Sequence, residues 1–145
     1  ECARGGPMGP GDGLQHIGEM AAAGACGFKC STVGTDPKRF PRIPADRLAR
    51  CFDAVRETGL IAGVHNEDDE MVRARLAQVT EAGITDWRAH GLSRPPLTET
   101  LSLAQIYETA AGTGCAAHDA HCSVSPGSAL RASHRQHCFE TTSES

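Results

Sequence analysis

Two hydrophobic patterns alternate along the chain, one typical of helices and one typical of buried strands. Four segments have apolar residues at helical spacing and end at a glycine: 12–24, 45–59, 68–83 and 97–112. Three short apolar runs between or after them are predicted strands: 25–32, 60–67 and 115–124. The segments 32–44 and 84–96 contain prolines and are predicted loops. Asp12 is the expected N-cap of the first helix.

This order gives repeated strand–helix units, which predict an α/β fold with a parallel sheet and right-handed crossovers. Doubly wound sheets and (β/α)8 barrels both satisfy the pattern, and both place functional residues at the carboxyl ends of their strands. A complete barrel needs about 250 residues, whereas the chain has 145. As a barrel, the chain would therefore be a partial (β/α)8 TIM-type barrel of about three to four units.

The composition is that of an ordinary soluble domain, with 39% hydrophobic and 22% charged residues and a formal charge of -4. There is no dense Lys/Arg cluster and no long apolar stretch, so we expect neither a nucleic-acid-binding nor a membrane-binding surface. We expect a cytoplasmic location. Residues 1–11 lack the apolar core of a signal peptide and are a predicted loop. The sequence lacks an initiator Met, which is typical of a start partway through a longer protein.

The predicted strands carry unusual side chains near their carboxyl ends, namely Lys29, His65 and His121. Lysine is almost never fully buried without a partner, so its place in the run AAAGACGFKCST (21–32) needs a reason. Lys29 could pair with a carboxylate or reach the rim of the sheet, and each histidine could be a hydrogen-bonded structural residue. The coincidence of the three at equivalent positions favours a metal or anion site.

The third predicted strand contains two histidines, and its alternation separates them. Ala117, Asp119 and His121 fall on one side, whereas His118, Ala120 and Cys122 fall on the other. His121 lies nearer the carboxyl end and is therefore the better candidate for the site. A buried structural histidine is the default role for His118.

Four motifs follow one another in the sequence: GFKCS (27–31), VHNED (64–68), SRPPLTE (93–99) and HDAHCSVSPG (118–127). Together they resemble the cyclic amidohydrolases, which include hydantoinase (dihydropyrimidinase), allantoinase and dihydroorotase within the metal-dependent amidohydrolase superfamily. The family pattern runs Gly-Phe-Lys, Val-His-x-Glu, Ser-Arg-Pro-x-x-x-Glu and His-x-x-His-x-Ser. The resemblance covers about residues 12–130, and it is specific because four motifs occur in order on matching elements.

The resemblance implies a (β/α)8 barrel in which carboxylated Lys29, His65 and His121 hold two divalent metal ions, commonly zinc. It also implies a small cyclic amide substrate, whose C–N bond is opened by a metal-bridging hydroxide, and a homo-oligomer for the full-length protein. A lysine removed from water is partly neutral, so its amine can attack CO2. The product is a carboxylate-like bridge, and two metals sharing a water generate hydroxide near neutral pH.

Secondary candidates follow His65 and lie in the third motif. Asn66 and Glu67 are expected to orient the His65 imidazole or to cap the next helix, with capping favoured for Asp68. Arg94 is expected to hold a loop or an acidic partner in preference to substrate.

The seven cysteines are scattered and form no C-x-x-C pair, which favours reduced thiols over a disulfide framework. Most of them are expected to be small buried hydrophobic residues. Cys30 and Cys122 flank proposed ligands but are out of register with them on their strands, so we interpret both as packing residues.

The chain also departs from the family pattern. It has no His-x-His for the first barrel strand and no last strand with the Asp that serves the family as metal ligand and general base. Residues 131–145 are expected to be a divergent or truncated tail, in which 139–145 resemble only the start of a family strand. We therefore expect the complete protein to be the enzyme and this chain alone to be weakly active at best, because a partial barrel exposes strand edges.

Two other functions are compatible with the sequence. One is a non-catalytic amidohydrolase-like structural or interaction module, against which the retained Lys29, His65 and His121 argue. The other is a small zinc-binding module, with a spacing that fits no standard finger, built from Cys115, His118, His121, His134, His137 and Cys138. Within the family, GFKC is slightly nearer to allantoinase and SRPP to the hydantoinase and allantoinase branch, and the motifs do not identify the ring that is opened.

Overall fold

Parallel strands form the centre of this computed structural model. They are β1 (Gly27–Ser31), β2 (Ile61–His65), β3 (Ala117–Ala120) and β4 (Thr142–Ser143), and they lie in the sheet in the order β1-β2-β3-β4. The structure describes residues 13–34, 41–120 and 122–134, and the backbone of 142–143. Strands that are consecutive in the chain are neighbours in the sheet, which is the arrangement of a barrel wall, without the reversal of a doubly wound sheet. The predicted partial barrel is therefore confirmed.

Helices connect these strands and cover one side of the sheet. A 3₁₀ turn at Gly13–His16 leads into α1 (Ile17–Ala22), and the helices that follow are α2 (Ala45–Glu57), α3 (Asp69–Glu81), α4 (Arg88–Ser93), α5 (Pro96–Thr113) and α6 (Ser125–His134). Gly114 ends α5 in the left-handed conformation, with φ of 72°, and its N–H donates to the Ala110 carbonyl. No helix in the described ranges is long and apolar enough to cross a membrane.

The hydrophobic core lies between the helices and one face of the sheet. Phe28 and Cys30 of β1 and Ala62 and Val64 of β2 are buried there. The helices contribute apolar side chains that are fully buried in the same core, among them Leu48, Phe52, Val55, Leu103 and Ile106. The residues that alternate with the core positions along β1 and β2 lie on the opposite face of the sheet.

The predicted loop at 84–96 is wrong over its second half, because α4 forms there and packs against α3. The helix is short and contains Gly91, so no apolar periodicity revealed it. The Trp87 side chain at its start is 86% exposed, so no buried residue marks the beginning of the helix.

The ends of the first helix and of the third strand also differ from the prediction. The first helix begins as a 3₁₀ turn, and its expected N-cap, Asp12, lies outside the described residues. The strand predicted over 115–124 is confined to β3, and α6 begins at Ser125, where no helix was predicted. Three residues beyond β3, the backbone N–H of Ser123 donates to the side chain of Glu99 in α5.

Candidate active site

Two of the predicted ligands lie on the sheet face that is turned away from the helices. Lys29 pairs in register with Gly63, and Ser31 pairs with His65, one row nearer the carboxyl ends. Paired residues of parallel neighbours project to the same side of the sheet. The structure therefore brings Lys29 and His65 to one face, in adjacent rows.

The third predicted ligand, His121, lies outside the described residues. The strand that precedes it is described, and it places His118 beside Gly63 and Ala120 beside His65, on the site face. Asp119 pairs with Val64 and is buried on the opposite face, toward the helices. The separation of the two sides predicted for β3 is confirmed over the described residues, but the side that faces the site is that of His118 and Ala120, whereas Asp119, which was grouped with His121, lies on the opposite side. His118, interpreted as a structural residue, therefore lies in the row of Lys29.

Lys29 is only half-buried, so the cost of placing its amine among apolar residues is smaller than for a fully buried lysine. Among the residues that the structure describes, its amine has no ion pair or hydrogen bond, so the expected alternative of a carboxylate partner has no support there. Its neighbour in the sheet is Gly63, which places no side chain beside the lysine on the site face.

A chain of polar contacts fixes the His65 imidazole. Nε2 of His65 lies 3.5 Å from Oε2 of Glu67, and Oε1 of the same carboxylate accepts a hydrogen bond from Nε of Arg94 at 2.9 Å. Burial favours the neutral form of Glu67, but the hydrogen bond from His65 and the charge of Arg94 outweigh it, so the pKa of Glu67 lies below its ordinary value. Arg94 thus holds an acidic partner, and Glu67 contacts the imidazole that it was expected to orient.

A second carboxylate, Glu99, ties the third motif to the fourth. Its oxygens accept two hydrogen bonds of 2.7 Å, one from the backbone N–H and one from the hydroxyl of Ser123. Ser123 lies three residues beyond the end of β3 and two residues after the position of His121. The sequence motifs contained both Glu99 and Ser123, but no local signal indicated that they would meet, since 24 positions separate them.

Thr32 connects the end of β1 to the residues that follow β2. Its hydroxyl lies within hydrogen-bond distance of the carbonyls of His65 and Glu67, at 3.1 and 2.9 Å, and of the Ser102 hydroxyl at 2.8 Å. The Thr32 backbone N–H also donates to the His65 carbonyl. The sequence analysis did not identify Thr32, although it fixes the backbone on both sides of Asn66.

The N-terminus of α3 holds the segment after β2 in place. The carboxylate of Asp68 accepts a hydrogen bond from the Met71 N–H at 2.8 Å, which confirms its predicted capping role. The Asp68 N–H donates to the Thr98 carbonyl, so the second motif is also joined to the third through its backbone.

Asp69 is buried at the same helix end and joins it to the segment after β1. Its carboxylate accepts hydrogen bonds from the Gly34 N–H, from Arg42 at 3.2 Å and from Arg73 at 2.7 Å. Burial acts to raise the pKa of Asp69, but the Gly34 hydrogen bond and the two arginines more than offset it, and the pKa lies below its ordinary value.

A cavity of about 420 Å³ lies at the carboxyl ends of β2 and β3, beside α4 and α5. Its lining includes His65, Asn66, Glu67 and Arg94. Asn66 is 2% exposed, and its Nδ2 atom has no hydrogen-bond partner in the described part of the molecule. The position of this cavity, above the strand ends, is where barrel enzymes bind their substrates.

Of the five cysteines that the structure describes, four pack in or against the core, as predicted for most of the cysteines, and Cys26 is exposed. Cys30, Cys51 and Cys115 are buried, and Cys122 is half-buried against the core. A hydrogen bond with Cys51, together with burial, raises the pKa of Cys30, and burial raises the pKa of Cys115 to about 11. A raised pKa favours the protonated thiol, which is a poor metal ligand, so Cys30 and Cys115 are interpreted as packing residues.

The residues proposed for a zinc-finger-like module do not come together in the described structure. Cys115 precedes β3 in the core, whereas Nε2 of His134 pairs with Glu108 at 2.9 Å on the helical side. His137 and Cys138 lie outside the described residues. Within the described ranges, no three His, Cys, Asp or Glu side chains are grouped as a metal site would require.

Asp119 adds a buried carboxyl to the helical face of β3. The Tyr107 hydroxyl donates to its Oδ1 at 2.9 Å, and both residues are fully buried. Burial raises the pKa of each, and for Tyr107 the neighbouring Asp119 charge adds to the effect. This pair lies across the sheet from Lys29 and stabilises the packing of α5 on β3.

Known proteins share this arrangement of sequence and fold. The chain is 35% identical over 112 residues to an allantoinase of Bacillus velezensis, covering 76% of this chain and 24% of that protein. It is 28% identical over 102 residues to an L-hydantoinase of Paenarthrobacter aurescens, covering 70% of this chain and 22% of the relative. No protein-family model matches the chain.

A solved structure has the same fold. The L-hydantoinase (dihydropyrimidinase) from Arthrobacter aurescens superposes with a TM-score of 0.88 at 26% identity, over 97% of this chain and 31% of that one. The chain thus spans about a quarter of the length of the curated relatives that it matches.

Proposed function

Because the chain belongs to the cyclic amidohydrolase family, we propose that it supplies the central strands of a barrel enzyme that hydrolyses a cyclic amide or imide C–N bond. The observation that carries the proposal is that Lys29 and His65 lie on one sheet face in adjacent rows, with His65 at the end of its strand and in the lining of a cavity. The allantoinase and hydantoinase names of the relatives give the substrate class: a five- or six-membered ring containing amide or ureido groups.

The donor set fits part of a site for two divalent metal ions, which we propose to be zinc. A neutral imidazole that a carboxylate holds through one ring nitrogen is oriented to coordinate through the other, and Glu67 contacts His65 in this way. Lys29 fits the role of a ligand only after carboxylation. Its half-buried amine beside Gly63, which has no ion pair or hydrogen bond with any residue that the structure describes, is suited to that reaction. His121 is proposed as the third ligand from this chain, and further ligands must come from the rest of the barrel.

Carboxylation of Lys29 is a reaction of this chain with dissolved CO2. The neutral amine nitrogen forms a bond to the carbon of CO2, a C–O π bond becomes the lone pair of an oxygen, and the nitrogen releases one proton to solvent. The product is a carbamate with one negative charge, in place of an ammonium with one positive charge. Such a group, unlike an amine, can contribute two anionic oxygens to a site.

The remaining residues of the site hold these groups in position. Arg94 and Glu67 orient the His65 ring, while Glu99 and Thr32 fix the backbone around Ser123 and His65. When bound, the metal pair would activate water and polarise the substrate carbonyl. Our proposal is that the polar contacts among the motifs hold the ligands within the narrow tolerance that such a site needs.

The test uses the complete protein and compares Lys29→Ala with Lys38→Ala, which removes the second of the two lysines in the sequence. We expect about two zinc-like ions per chain in the unaltered protein and in Lys38→Ala, and loss of most of the metal in Lys29→Ala. Added short carboxylates should restore part of the metal binding, since they replace the missing carbamate.

Activity is measured on allantoin, hydantoin, dihydrouracil and dihydroorotate. The proposal predicts opening of at least one ring by the unaltered protein and by Lys38→Ala, but not by Lys29→Ala. Unchanged metal content in Lys29→Ala would refute the role of the lysine. Failure of the metal-loaded, unaltered protein to open any cyclic amide would refute the proposed reaction.

A further inference from the structure

On the site face of the sheet, two residues that are not proposed ligands lie in the same row as Lys29. Lys29, Gly63 and His118 are in register on three adjacent strands. Neighbouring strands are about 4.8 Å apart, so the Cα atoms of Lys29 and His118 are separated by roughly 10 Å. That distance can be bridged by a lysine and a histidine side chain that approach each other, provided that nothing stands between them.

The position between them is a glycine that the backbone does not require. Gly63 does not have a positive φ, so its backbone conformation is open to other residues. A Cβ added there would meet only the Phe28 carbonyl oxygen, at an ordinary contact distance of 3.6 Å. Alanine would therefore fit the local structure. Within the described sheet, no side chain of β2 therefore stands between Lys29 and His118 in this row.

The charge and burial of the row give this path a chemical use. Lys29 and His118 are both half-buried. If Lys29 is carboxylated, as the proposed function requires, its partly desolvated oxygens need hydrogen-bond donors. An imidazole N–H of His118 is the donor that the register places across the gap.

We propose that His118 is a positioning residue for carboxylated Lys29, to which it donates a hydrogen bond over Gly63. This inference rests on the proposed function, because it assigns a partner to the carbamate. His118 thereby stabilises the carbamate against loss of CO2, and Gly63 keeps the space for the contact. The sequence alone favoured a structural role for His118, since strand alternation separates it from His121.

The test follows carbamate formation directly in the complete, zinc-loaded protein. Samples are equilibrated with ¹³C-bicarbonate, and the carbamate carbon is measured by ¹³C nuclear magnetic resonance together with zinc content. We expect His118→Ala to need about tenfold more bicarbonate for half-maximal carbamate, the change that loss of one charge-assisted hydrogen bond gives. His118→Gln, which keeps a donor, should recover part of this shift.

Two further variants separate the contact from general effects on folding. Gly63→Ala places a methyl group in the gap without a backbone clash, so it should shift the bicarbonate requirement in the same direction while the protein remains folded. His16→Ala removes a histidine that is 55% exposed and contacts Glu19 on the first helix, and it should leave the requirement unchanged.

The possible results are distinguishable. A carbamate signal in the unaltered protein, with the same bicarbonate dependence in His118→Ala and Gly63→Ala, overturns the role of His118 and leaves the proposed function intact. Absence of a carbamate signal in the unaltered, metal-loaded protein overturns the proposed role of Lys29 and this inference with it. A higher bicarbonate requirement in His118→Ala that is partly reversed in His118→Gln supports both the carboxylation of Lys29 and the role of His118.

Discussion

The contact between Glu99 and Ser123 gives a quantitative prediction, because it rests on two short hydrogen bonds to one buried carboxylate. Glu99 is 9% exposed, and each of its two bonds to Ser123 is 2.7 Å long. Ser123 itself is exposed, so water can replace the carboxylate at its donors, and the low end of the range for charged hydrogen bonds applies. At about 1.5 kcal/mol per bond, Glu99→Ala should lower the free energy of unfolding by about 3 kcal/mol.

A double-mutant cycle isolates this interaction from other effects of the substitution. Ser123→Ala removes only the hydroxyl bond and should cost about 1.5 kcal/mol. The double variant should lower the free energy of unfolding by about 3 kcal/mol, because the hydroxyl bond lost in Ser123→Ala is already absent after Glu99→Ala. The coupling energy is then about 1.5 kcal/mol. Glu99→Gln keeps the shape with neutral bonds and should cost about 1 kcal/mol.

The assay is urea unfolding of the 145-residue chain, followed by far-ultraviolet circular dichroism, with hydrogen exchange at the Ser123 amide as a local measurement. Exchange at this amide should accelerate in Glu99→Ala more than in Ser123→Ala, because only the first removes its acceptor. Additive costs of the single variants, with a coupling energy near zero, would show that the two side chains do not stabilise each other and would refute the reasoning.

Four other substitutions test the described structure by the same unfolding measurement. Because the pKa of Asp69 is lowered in the folded state, its charge contributes to the free energy of unfolding above pH about 4, and this contribution is lost as pH falls through the folded-state pKa. Asp69→Asn should therefore lose less stability than the unaltered chain over this acidic range. The same loss of stability with acid in both proteins would contradict the lowered pKa of Asp69. Tyr107→Phe leaves the fully buried Asp119 without its hydrogen bond and should cost about 1–3 kcal/mol, whereas no loss would mean that the bond is not formed. Gly114→Ala, at a φ of 72°, should lower the free energy of unfolding by about 1–2 kcal/mol. Gly112→Ala lies inside α5, and nothing is within 4 Å of its added Cβ, so it should raise the free energy of unfolding by about 1 kcal/mol. Equal effects of the two variants would be inconsistent with a left-handed Gly114 at the end of α5.

Elements with a strong local pattern could be predicted closely from the sequence. The face of α2 that contains Leu48, Phe52 and Val55 is buried as its helical spacing indicated, and the acidic start of α3 supplied the predicted cap at Asp68. The α4 helix could not be predicted, because it is short, contains Gly91 and packs mainly against α3, an element outside its own segment. Helices of this length depend on tertiary packing more than on propensity.

The candidate site divides in the same way. Lys29 and His65 could be located near strand ends from the sequence, because strand length and alternation are local properties. The partners of Arg94 and Glu99 could not be located, since each contact joins residues on different elements. Likewise, His118 entered the row of Lys29 only when the register of β2 with β3 was known.

The sequence by itself therefore determined the alternation of strands and long helices, the parallel sheet and the residues that are able to form a site. The tertiary structure decided which of these residues lie together, through the strand register and the two carboxylate contacts that join the motifs. The physical reason is that hydrophobic periodicity acts over a few residues. Register and ion pairing, in contrast, depend on the separations between strands and helices, which packing of the whole core sets.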